Sequence, residues 1–267
     1  MVDLSHPVLA ALMSEPWYAG QIVHVETEDA APPRHRRPAE PLAAPLEGHL
    51  EATGIRLFAH QAEAVDRWRA GADLVVATRT ASGKSLAFNL CVATTLLGSP
   101  GATALYLYPT KALANDQLEV LTRFDAAVGL GACPATYDGD TPQSARARIR
   151  RESRIIVSNP YGLHEYLAQP QALGSFWSSL AVVVIDEAHR YRGVLGAHVA
   201  FVIRRLRRIA ARFGAQPRFI LALDHPRGRP GRARLVERAH PLDDCPHVPA
   251  GGVHRQEGYR TMGDVTR

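Results

Sequence analysis

The chain has 267 residues, 46% of them hydrophobic, and a formal net charge of +5. Its hydrophobic content suffices for one large domain or two small ones, and its mildly basic balance fits a nucleic-acid partner without proving one. Its three cysteines lie far apart and include no C-x-x-C pair, which argues against a disulfide framework and a zinc site. Without a secretory signal or an apolar run of roughly 20 residues, we expect a cytoplasmic protein with no membrane partner.

Residues 1–49 are predicted to be an N-terminal extension and linker. The apolar segment at 8–13 favours a short helix, whereas the segment at 31–38 contains three prolines and three arginines. Each proline removes a backbone donor and restricts the residue before it, so this segment cannot continue a regular helix or strand. We interpret it as an extended, solvated linker, with phosphate contacts by its arginines as the alternative.

Between residues 50 and 222, apolar segments of strand length alternate with amphipathic segments of helix length. The apolar segments predict strands at 73–77, 102–108, 132–137, 154–158, 180–185 and 218–222. The amphipathic segments predict helices at 60–70, 83–97, 111–124, 143–151, 161–168 and 194–213. Because the strand segments are apolar throughout, we expect helices to cover both faces of the sheet. The pattern therefore predicts an α/β domain with an open, mostly parallel sheet and helices on both faces.

Residues 223–267 lack any such pattern. They carry many Pro, Gly, Arg and His residues and few apolar ones, a composition that cannot bury enough apolar surface to form a core. We therefore expect a disordered tail. Because the regular pattern stops abruptly, a sequence translated out of frame is an alternative explanation, which the other two frames of the flanking DNA would test.

A candidate phosphate-binding loop follows the first predicted strand. Its end matches the G-x-x-x-x-G-K-[ST] pattern, in which backbone N–H groups surround the phosphates, the lysine reaches the β- and γ-phosphates and the hydroxyl binds Mg²⁺. Thr78 replaces the first glycine of the pattern. The flanking segments nevertheless place the loop at a helix N-terminus, whose partial positive charge attracts anions. The candidate ATP-binding residues are Thr80, Ser82, Gly83, Lys84 and Ser85.

Two adjacent acids, Asp186 and Glu187, follow the apolar segment at 180–185. Open α/β sheets bind ligands at the carboxyl ends of their strands, and two acids at such a place cost free energy unless they serve a cation or a reaction. We predict that Asp186 and Ser85 hold Mg²⁺ and that Glu187 orients and deprotonates the attacking water. The alternative is a solvated loop that carries two acids by chance.

Further motifs, in a fixed order, carry a resemblance to a known family. They lie at residues 58–63, 108–114, 137–141, 158–160, 186–189 and 191–199. On these motifs, residues 50–222 resemble the first RecA-like domain of superfamily 2 DEAD/DEAH-box helicases. Within that superfamily they look most similar to bacterial DNA helicases of the mitomycin-repair type and their fungal relatives, and the stretch at 191–199 is the most specific to this group.

The resemblance implies an ATP-hydrolysing motor with ATP and Mg²⁺ as cofactors and nucleic acid, in the first place DNA, as its partner. It places Gln61 at the edge of the adenine. It assigns Asp186, Glu187 and His189 to the catalytic centre, with His189 coupling the nucleotide to the nucleic acid. It assigns contacts with the nucleic-acid backbone to Thr110, Lys111, Thr141 and Asn159.

Several of these residues also have a purely structural explanation. Thr110 and Asn159 precede predicted helices and are good N-caps, and one residue can both cap a helix and contact a phosphate. His189 alone can be a satisfied core histidine. The arginines of the last predicted helix most simply form a solvated face, with packing against a second motor domain or an accessory domain as the alternative. These arginines are Arg204, Arg205, Arg207 and Arg208.

Two departures from the family pattern bear on the predicted function. Arg79 lies in the phosphate loop, where a bulky side chain at a positive φ costs about 1 kcal/mol or more. Leu223-Asp224-His225 replaces the family's Ser-Ala-Thr motif, and no second motor domain with an arginine finger follows. We therefore expect a truncated helicase domain that binds ATP and cannot unwind alone. The alternatives are a non-catalytic nucleic-acid-binding remnant and the core of an RNA helicase or translocase.

Overall fold

The computed structural model of the protein describes residues 7–25, 33–78 and 82–224 and the backbone of Arg234–Leu235. Three described helices precede the first strand: α1 (Pro7–Met13), α2 (Ala44–Ala52) and α3 (Ala59–Arg69). From there, strands and helices alternate. In chain order they are β1 (Leu74–Thr78), α4 (Lys84–Gly98), β2 (Thr103–Leu107), α5 (Lys111–Val128), β3 (Ala135–Thr136), α6 (Gln143–Glu152), β4 (Ile155–Ser158), α7 (Pro160–Tyr166), α8 (Gly174–Ser178), β5 (Leu180–Ile185), α9 (Gly193–Arg212), β6 (Arg218–Asp224) and β7 (Arg234–Leu235), with 3₁₀ turns at Pro170–Leu173 and Ala188–Arg190.

The described strands form one sheet in the order β3-β4-β2-β5-β6-β1-β7. Strands β1 to β6 pair in parallel, and β7 lies antiparallel beside β1. Parallel neighbours need a long crossover connection, because the chain must return to the starting end of the next strand. Along the chain from β1 to β6, helices supply the crossovers between successive strands, as the alternation in the sequence predicts.

Both faces of the sheet are covered by helices. Successive residues of a strand point to opposite faces, so Val184 of β5 belongs to the core beneath α2 to α5, whereas Val183 belongs to the core beneath α7, α8 and α9. Each core holds one fully buried tryptophan, Trp68 in the first and Trp177 in the second. The predicted fold class, an open and mostly parallel sheet with helices on both faces, is confirmed.

The predicted elements all occur, with most ends displaced by a few residues. The largest difference is at the strand predicted for 132–137, of which only Ala135–Thr136 pairs with a neighbour. Cys133 has a φ of 47° and Pro134 lacks an N–H group, and both features interrupt an extended ladder. Helices α2 and α8 were not predicted, because α2 begins inside the presumed linker and α8 has only five residues.

The segment before residue 50 packs onto the domain. Leu42 and Leu46 are buried in the first core, and α2 crosses the domain boundary predicted at residue 50. Residues 33–38 are mostly exposed, as predicted, but they are also fastened to the domain: Arg36 forms an ion pair with Asp66 of α3. Residues 33–49 of the extension are therefore packed against the domain.

Strand β6 runs two residues past its predicted end, through Leu223 and Asp224. Asp224 pairs in register with Thr78 of β1. Farther along the predicted tail, Arg234–Leu235 pairs with β1. The remainder of that tail, and with it the prediction of disorder, lies outside the described residues. No helix in the described ranges is long and apolar enough to span a membrane.

Candidate functional site

Three neighbouring strands bring the candidate residues to one edge of the sheet. Strand β6 lies between β1 and β5, and all three run parallel, so their carboxyl ends lie side by side. Thr78 ends β1, Asp186 follows β5, and Asp224 ends β6. Open α/β sheets bind their ligands at this edge. The phosphate loop and the acid pair, which are over a hundred residues apart in the sequence, therefore meet in the structure.

The described part of the phosphate loop depends on one glycine. Gly83 caps the N-terminus of α4 with a φ of 78°, a conformation that glycine adopts without strain. A Cβ atom at this position would lie 2.4 Å from Nε2 of Gln61. The hydroxyl groups of Thr78 and Ser82 hydrogen-bond across the loop. Two loop residues singled out from the sequence lie outside the described residues: Arg79 and Thr80.

Gln61 joins α3 to the phosphate loop. It is 2% exposed. Its Oε1 accepts a 2.8 Å hydrogen bond from the Phe58 N–H, and its Nε2 donates a 2.9 Å hydrogen bond to the Gly83 carbonyl. The Phe58 ring also stacks on His35, with ring centroids 5.1 Å apart. Both ends of the Gln61 carboxamide thus bind protein groups, and its contact with an adenine edge stays a prediction.

Lys84 is the first residue of α4 and is 8% exposed. Its Nζ forms an ion pair with the carboxylate of Asp224 and donates to the Thr78 carbonyl at 3.5 Å. A buried ammonium group needs such partners, because its desolvation is costly. Asp224 therefore places an anion where the sequence predicts a phosphate.

The acid pair after β5 is held in a fixed arrangement. Burial raises the pKa of Asp186 to about 6, and the negative charges of Glu187 and Asp224 raise it as well. The Glu187 N–H donates a 2.8 Å hydrogen bond to Oδ1 of Asp186. Glu187 has a φ of 51°, and such strained non-glycine residues cluster at functional sites. Three carboxylates at one edge of the sheet favour a cationic partner.

His189 links the end of β5 to the end of β6. Its Nδ1 accepts a 3.2 Å hydrogen bond from the Asp224 N–H, and its Nε2 lies 3.4 Å from Oε2 of Glu187. Because Nδ1 acts as an acceptor, the proton of the neutral ring lies on Nε2 and faces Glu187. The histidine therefore has a partner on each side and connects the acid pair with β6, an arrangement that suits the coupling role predicted from the resemblance.

The residues at this edge fit a nucleoside triphosphate with Mg²⁺. Ser85 lies in the first turn of α4, whose N-terminus presents backbone N–H groups and a partial positive charge to an anion. Mg²⁺ takes oxygen ligands and commonly uses one or two carboxylates together with phosphate oxygens. The Ser85 hydroxyl and the Asp186 carboxylate, which the sequence predicts as metal ligands, are oxygen donors of this kind.

Thr110 and Lys111 begin α5, directly beyond β2. The Thr110 hydroxyl accepts a 3.3 Å hydrogen bond from the Leu113 N–H, which confirms the predicted N-cap. Nζ of Lys111 lies 2.5 Å from a carboxylate oxygen of Asp140, and this hydrogen bond raises the pKa of Lys111. Both side chains are exposed, and their contact with a nucleic-acid backbone stays a prediction.

Thr141 and Asn159 are more buried than a direct phosphate contact requires, at 8% and 3% exposure. The Thr141 hydroxyl accepts a 2.9 Å hydrogen bond from the Asp138 N–H and so closes its own turn. Oδ1 of Asn159 accepts from the N–H groups of Tyr161 and Gly162, which confirms the predicted cap of α7. Nδ2 of Asn159 is buried with no partner among the described residues. Nucleic-acid contacts by this pair stay a prediction.

Asp224 is the residue whose role the sequence did not indicate. In the sequence it is only a departure from a family motif. Its contact with Lys84 depends on β6 lying beside β1, and the order of strands in a sheet cannot be derived from the order of strands in the chain. A weak signal existed: a carboxylate ending an apolar strand is costly unless it has a partner.

Residues 58–223 match the model of the DEAD/DEAH box helicase family. The chain is similar to "Uncharacterized ATP-dependent helicase YprA" of Bacillus subtilis, with 41% identity over 177 residues that cover 66% of this chain and 24% of YprA. It is also similar to "ATP-dependent helicase hrq1" of Schizosaccharomyces pombe, with 36% identity over 223 residues that cover 80% of this chain and 21% of hrq1.

Among solved structures, the chain is similar to the crystal structure of the DUF1998 helicase MrfA bound to DNA and AMPPNP. The TM-score is 0.69 and the identity 39%, and the match covers 72% of this chain and 27% of MrfA. The helicase Lhr of Mycobacterium smegmatis, bound to ssDNA and AMP-PNP, shares the fold with a TM-score of 0.57 at 23% identity, over 68% of this chain and 24% of Lhr. The chain spans about a quarter of the length of these relatives.

Proposed function

Because the chain belongs to the DEAD/DEAH-box helicase family, we propose that it forms the ATP-binding motor core of an ATP-dependent DNA helicase. The observation that carries this proposal is the convergence of Lys84, at the start of α4, with Asp186 and Glu187, after β5, at one edge of the sheet. Lys84 and Asp186 are each only 8% exposed. Ionisable groups buried in this way at a ligand-binding edge are typical of a functional site.

In the proposed function, Lys84 exchanges its ion pair with Asp224 for the β- and γ-phosphates of ATP. Ser85 and Asp186 would hold Mg²⁺, which neutralises charge on the phosphates when bound. Glu187 accepts a proton from the attacking water. His189, whose Nε2 lies 3.4 Å from Oε2 of Glu187, orients the Glu187 carboxylate and relays its position to β6.

DNA is the proposed substrate. The DNA-bound structure of MrfA supports this choice, as does the net charge of +5. RNA is the alternative, and a competition between labelled DNA and unlabelled RNA of equal length distinguishes them. The coupling of ATP hydrolysis to movement along DNA, and a role in DNA repair, belong to the same proposal. They rest on relatives of which this chain spans about a quarter.

The test of the ATP site is a calorimetric titration of the 267-residue chain with Mg-ATP. Lys84→Ala should weaken ATP binding by about tenfold or more, because it removes a charged hydrogen bond to phosphate worth roughly 1.5–3 kcal/mol. Lys111→Ala is the matched control, since it removes an exposed lysine from the start of another helix. Equal ATP affinity of folded Lys84→Ala and wild type would show that the proposal is wrong.

A second candidate function is supported by one observation. The ion pair between Asp224 and Lys84 occupies the group on which ATP binding depends. A chain whose lysine stays paired in this way would be a non-catalytic nucleic-acid-binding module. This function predicts that the wild type binds oligonucleotides and fails to bind Mg-ATP at millimolar concentration.

Asp224→Asn separates the two functions. It keeps the size of the side chain and removes the charge that competes with phosphate. For the ATP-binding motor, wild type binds Mg-ATP and Asp224→Asn binds it about tenfold more tightly, a gain of roughly 1.4 kcal/mol. For the non-catalytic module, only the variant binds. Asp116→Asn, on the exposed face of α5, controls for the loss of one negative charge and should leave ATP affinity unchanged.

A further inference from the structure

A groove of about 940 Å³ lies between α7 and α9. Helix α7 contributes Pro160, Tyr161 and His164, and α9 contributes residues between Leu195 and Arg208. None of the described residues assigned to the ATP site lines it. The groove is therefore a separate feature of this domain.

The lining of the groove carries positive charge. It includes four arginines and two histidines, and within the described part of the chain it includes no aspartate or glutamate. Arg204 and Arg208 are both exposed. They are four residues apart on α9, so their side chains lie one above the other on the same face. A ligand in the groove therefore meets two exposed guanidinium groups on one face of α9.

The other two arginines hold the groove in shape. Arg205 donates a 2.9 Å hydrogen bond to the carbonyl of Leu167, at the end of α7. The guanidinium of Arg207 lies 5.9 Å from the centroid of the Phe219 ring on β6. These contacts fasten α9 to its neighbours, so the exposed arginines project from a fixed helix. The sequence indicates that Arg204 and Arg208 share a helix face, and the structure adds the contacts that hold Arg205 and Arg207.

Two aromatic side chains of the lining are unusually accessible. Tyr161 is 74% exposed and Phe201 is 63% exposed. The guanidinium of Arg204 lies 5.9 Å from the centroid of the Phe201 ring. Exposed aromatic rings beside arginines form stacking platforms for the bases of single strands, because every base has a flat π-face.

The groove continues from a loop for which the sequence predicts contact with nucleic acid. Asn159 caps α7, and its Oδ1 accepts a 3.0 Å hydrogen bond from the Tyr161 N–H. Pro160 follows Asn159 directly and lines the groove. The groove therefore begins directly beside the loop that carries Asn159.

We propose that the α7–α9 groove binds a segment of single-stranded nucleic acid, with Arg204 and Arg208 at its phosphates and Tyr161 and Phe201 against its bases. The inference rests on the proposed function only in requiring that the chain binds nucleic acid. Binding is independent of sequence, because arginine–phosphate and ring–base contacts do not distinguish bases. An acidic protein surface would satisfy the arginines, but it has no need of two exposed rings beside them.

The first test compares two double variants of the full chain by fluorescence anisotropy with a labelled single-stranded DNA of about 15 nucleotides. Arg204→Ala with Arg208→Ala should weaken binding about tenfold at low salt. It should also reduce the slope of log affinity against log salt by about 1.4, since each lost phosphate contact on a single strand contributes about 0.7. Arg123→Ala with Arg212→Ala removes two exposed charges outside the groove and should leave the slope unchanged.

The second test separates stacking from simple hydrophobic contact. Phe201→Leu keeps an apolar side chain and loses the aromatic ring, and it should weaken binding about fivefold or more. Phe201→Tyr keeps the ring and should bind like the wild type. Because Phe201 is 63% exposed, neither change disturbs the core, and thermal denaturation should be the same for both variants.

The outcomes separate this inference from the proposed function. If the wild type binds DNA and both groove variants match it in affinity and salt slope, the groove inference is wrong and the proposed function stands. If the Arg123 and Arg212 control loses as much DNA affinity as the Arg204 and Arg208 variant, the loss reflects only the total charge of the chain. That result also overturns the inference. If the wild type binds no oligonucleotide while the Mg-ATP titration behaves as expected, the groove inference fails and the ATP site remains.

Discussion

The proposed ATP site and the α7–α9 groove both present positive charge to an anion, and they differ in how buried and how tightly paired that charge is. In the ATP site, Lys84 is buried and paired with Asp224. In the groove, Arg204 and Arg208 are exposed, and no carboxylate among the described residues lines it. A ligand of the proposed ATP site must replace a buried ion pair, whereas a ligand of the groove meets arginines at the protein surface.

This difference assigns different kinds of selectivity to the two regions. Buried groups interact strongly and in one geometry, since little water screens them. Exposed charges are screened within about 8–10 Å at ordinary salt and tolerate many arrangements. We therefore expect the ATP site to respond to the displacement of single atoms, and the nucleic-acid surfaces to respond mainly to net charge and salt.

The largest expected effect comes from Gly83→Ala in the buried site. Alanine at this position must keep the positive φ of Gly83, which costs about 1 kcal/mol of stability. Its Cβ atom also lies 2.4 Å from Nε2 of Gln61, and moving that side chain breaks its bonds to Phe58 and Gly83 at about 1 kcal/mol each. Urea denaturation should show a loss of about 3 kcal/mol, accompanied by a loss of ATP binding.

Two control variants isolate the collision with Gln61. Gly129 also has a positive φ, 67°, but no atom lies within 4 Å of a Cβ built there. Gly129→Ala should therefore cost only the strain, about 1 kcal/mol. In a Gln61→Ala background, Gly83→Ala should cost about as much as Gly129→Ala. A full 3 kcal/mol in that background would mean that the collision has no part in the effect.

A smaller effect concerns stability as a function of pH. The folded protein raises the pKa of Asp186 to about 6, above its usual value of 3.8. A raised pKa means that the folded state favours the protonated form, so the carboxylate destabilises the fold above about pH 6 and has no effect below about pH 4. Asp186→Asn should increase the free energy of unfolding by about 2–3 kcal/mol at pH 7.5.

The same substitution at pH 4 should change stability by less than about 1 kcal/mol, because the Asp186 carboxyl is then protonated in the folded state and only partly ionised in the unfolded state. Asp116→Asn, on the exposed face of α5, should change stability by less than about 0.5 kcal/mol at either pH. A stabilisation by Asp186→Asn that is equal at both pH values would contradict a buried carboxylate as its cause.

The contrast between the regions also explains what the sequence predicts well. The sheet, its crossovers and the position of Gly83 follow from periodicity and from local turn chemistry, which are properties of short segments. The caps by Thr110 and Asn159 follow for the same reason. The pairing of Lys84 with Asp224 does not follow, because the residues are 140 positions apart and meet only once β6 lies beside β1.

Exposure is the second property that the sequence leaves open. The four arginines of α9 share one helix in the sequence, and only packing shows that two of them bind neighbouring groups while Arg204 and Arg208 face outward. Side-chain roles of this kind depend on neighbours from distant segments.

The smallest expected effect concerns the exposed ion pair between Lys111 and Asp140. Lys111 pairs with Asp140 at a distance of 2.5 Å, and both side chains are largely exposed. Exposed pairs of this kind contribute little to stability, so Asp140→Asn should leave the melting temperature unchanged. It should strengthen binding of single-stranded DNA about twofold at low salt, because one repulsive charge beside Lys111 is removed.

This gain should disappear at about 0.5 M salt, where exposed charges are screened over a few ångströms. Glu119→Gln is the matched control, because Glu119 also belongs to an exposed ion pair, with Arg123, and lies farther along α5. If Asp140→Asn and Glu119→Gln strengthen binding equally, the nucleic acid senses only the total charge of the chain. A gain confined to Asp140→Asn places the nucleic acid beside Lys111.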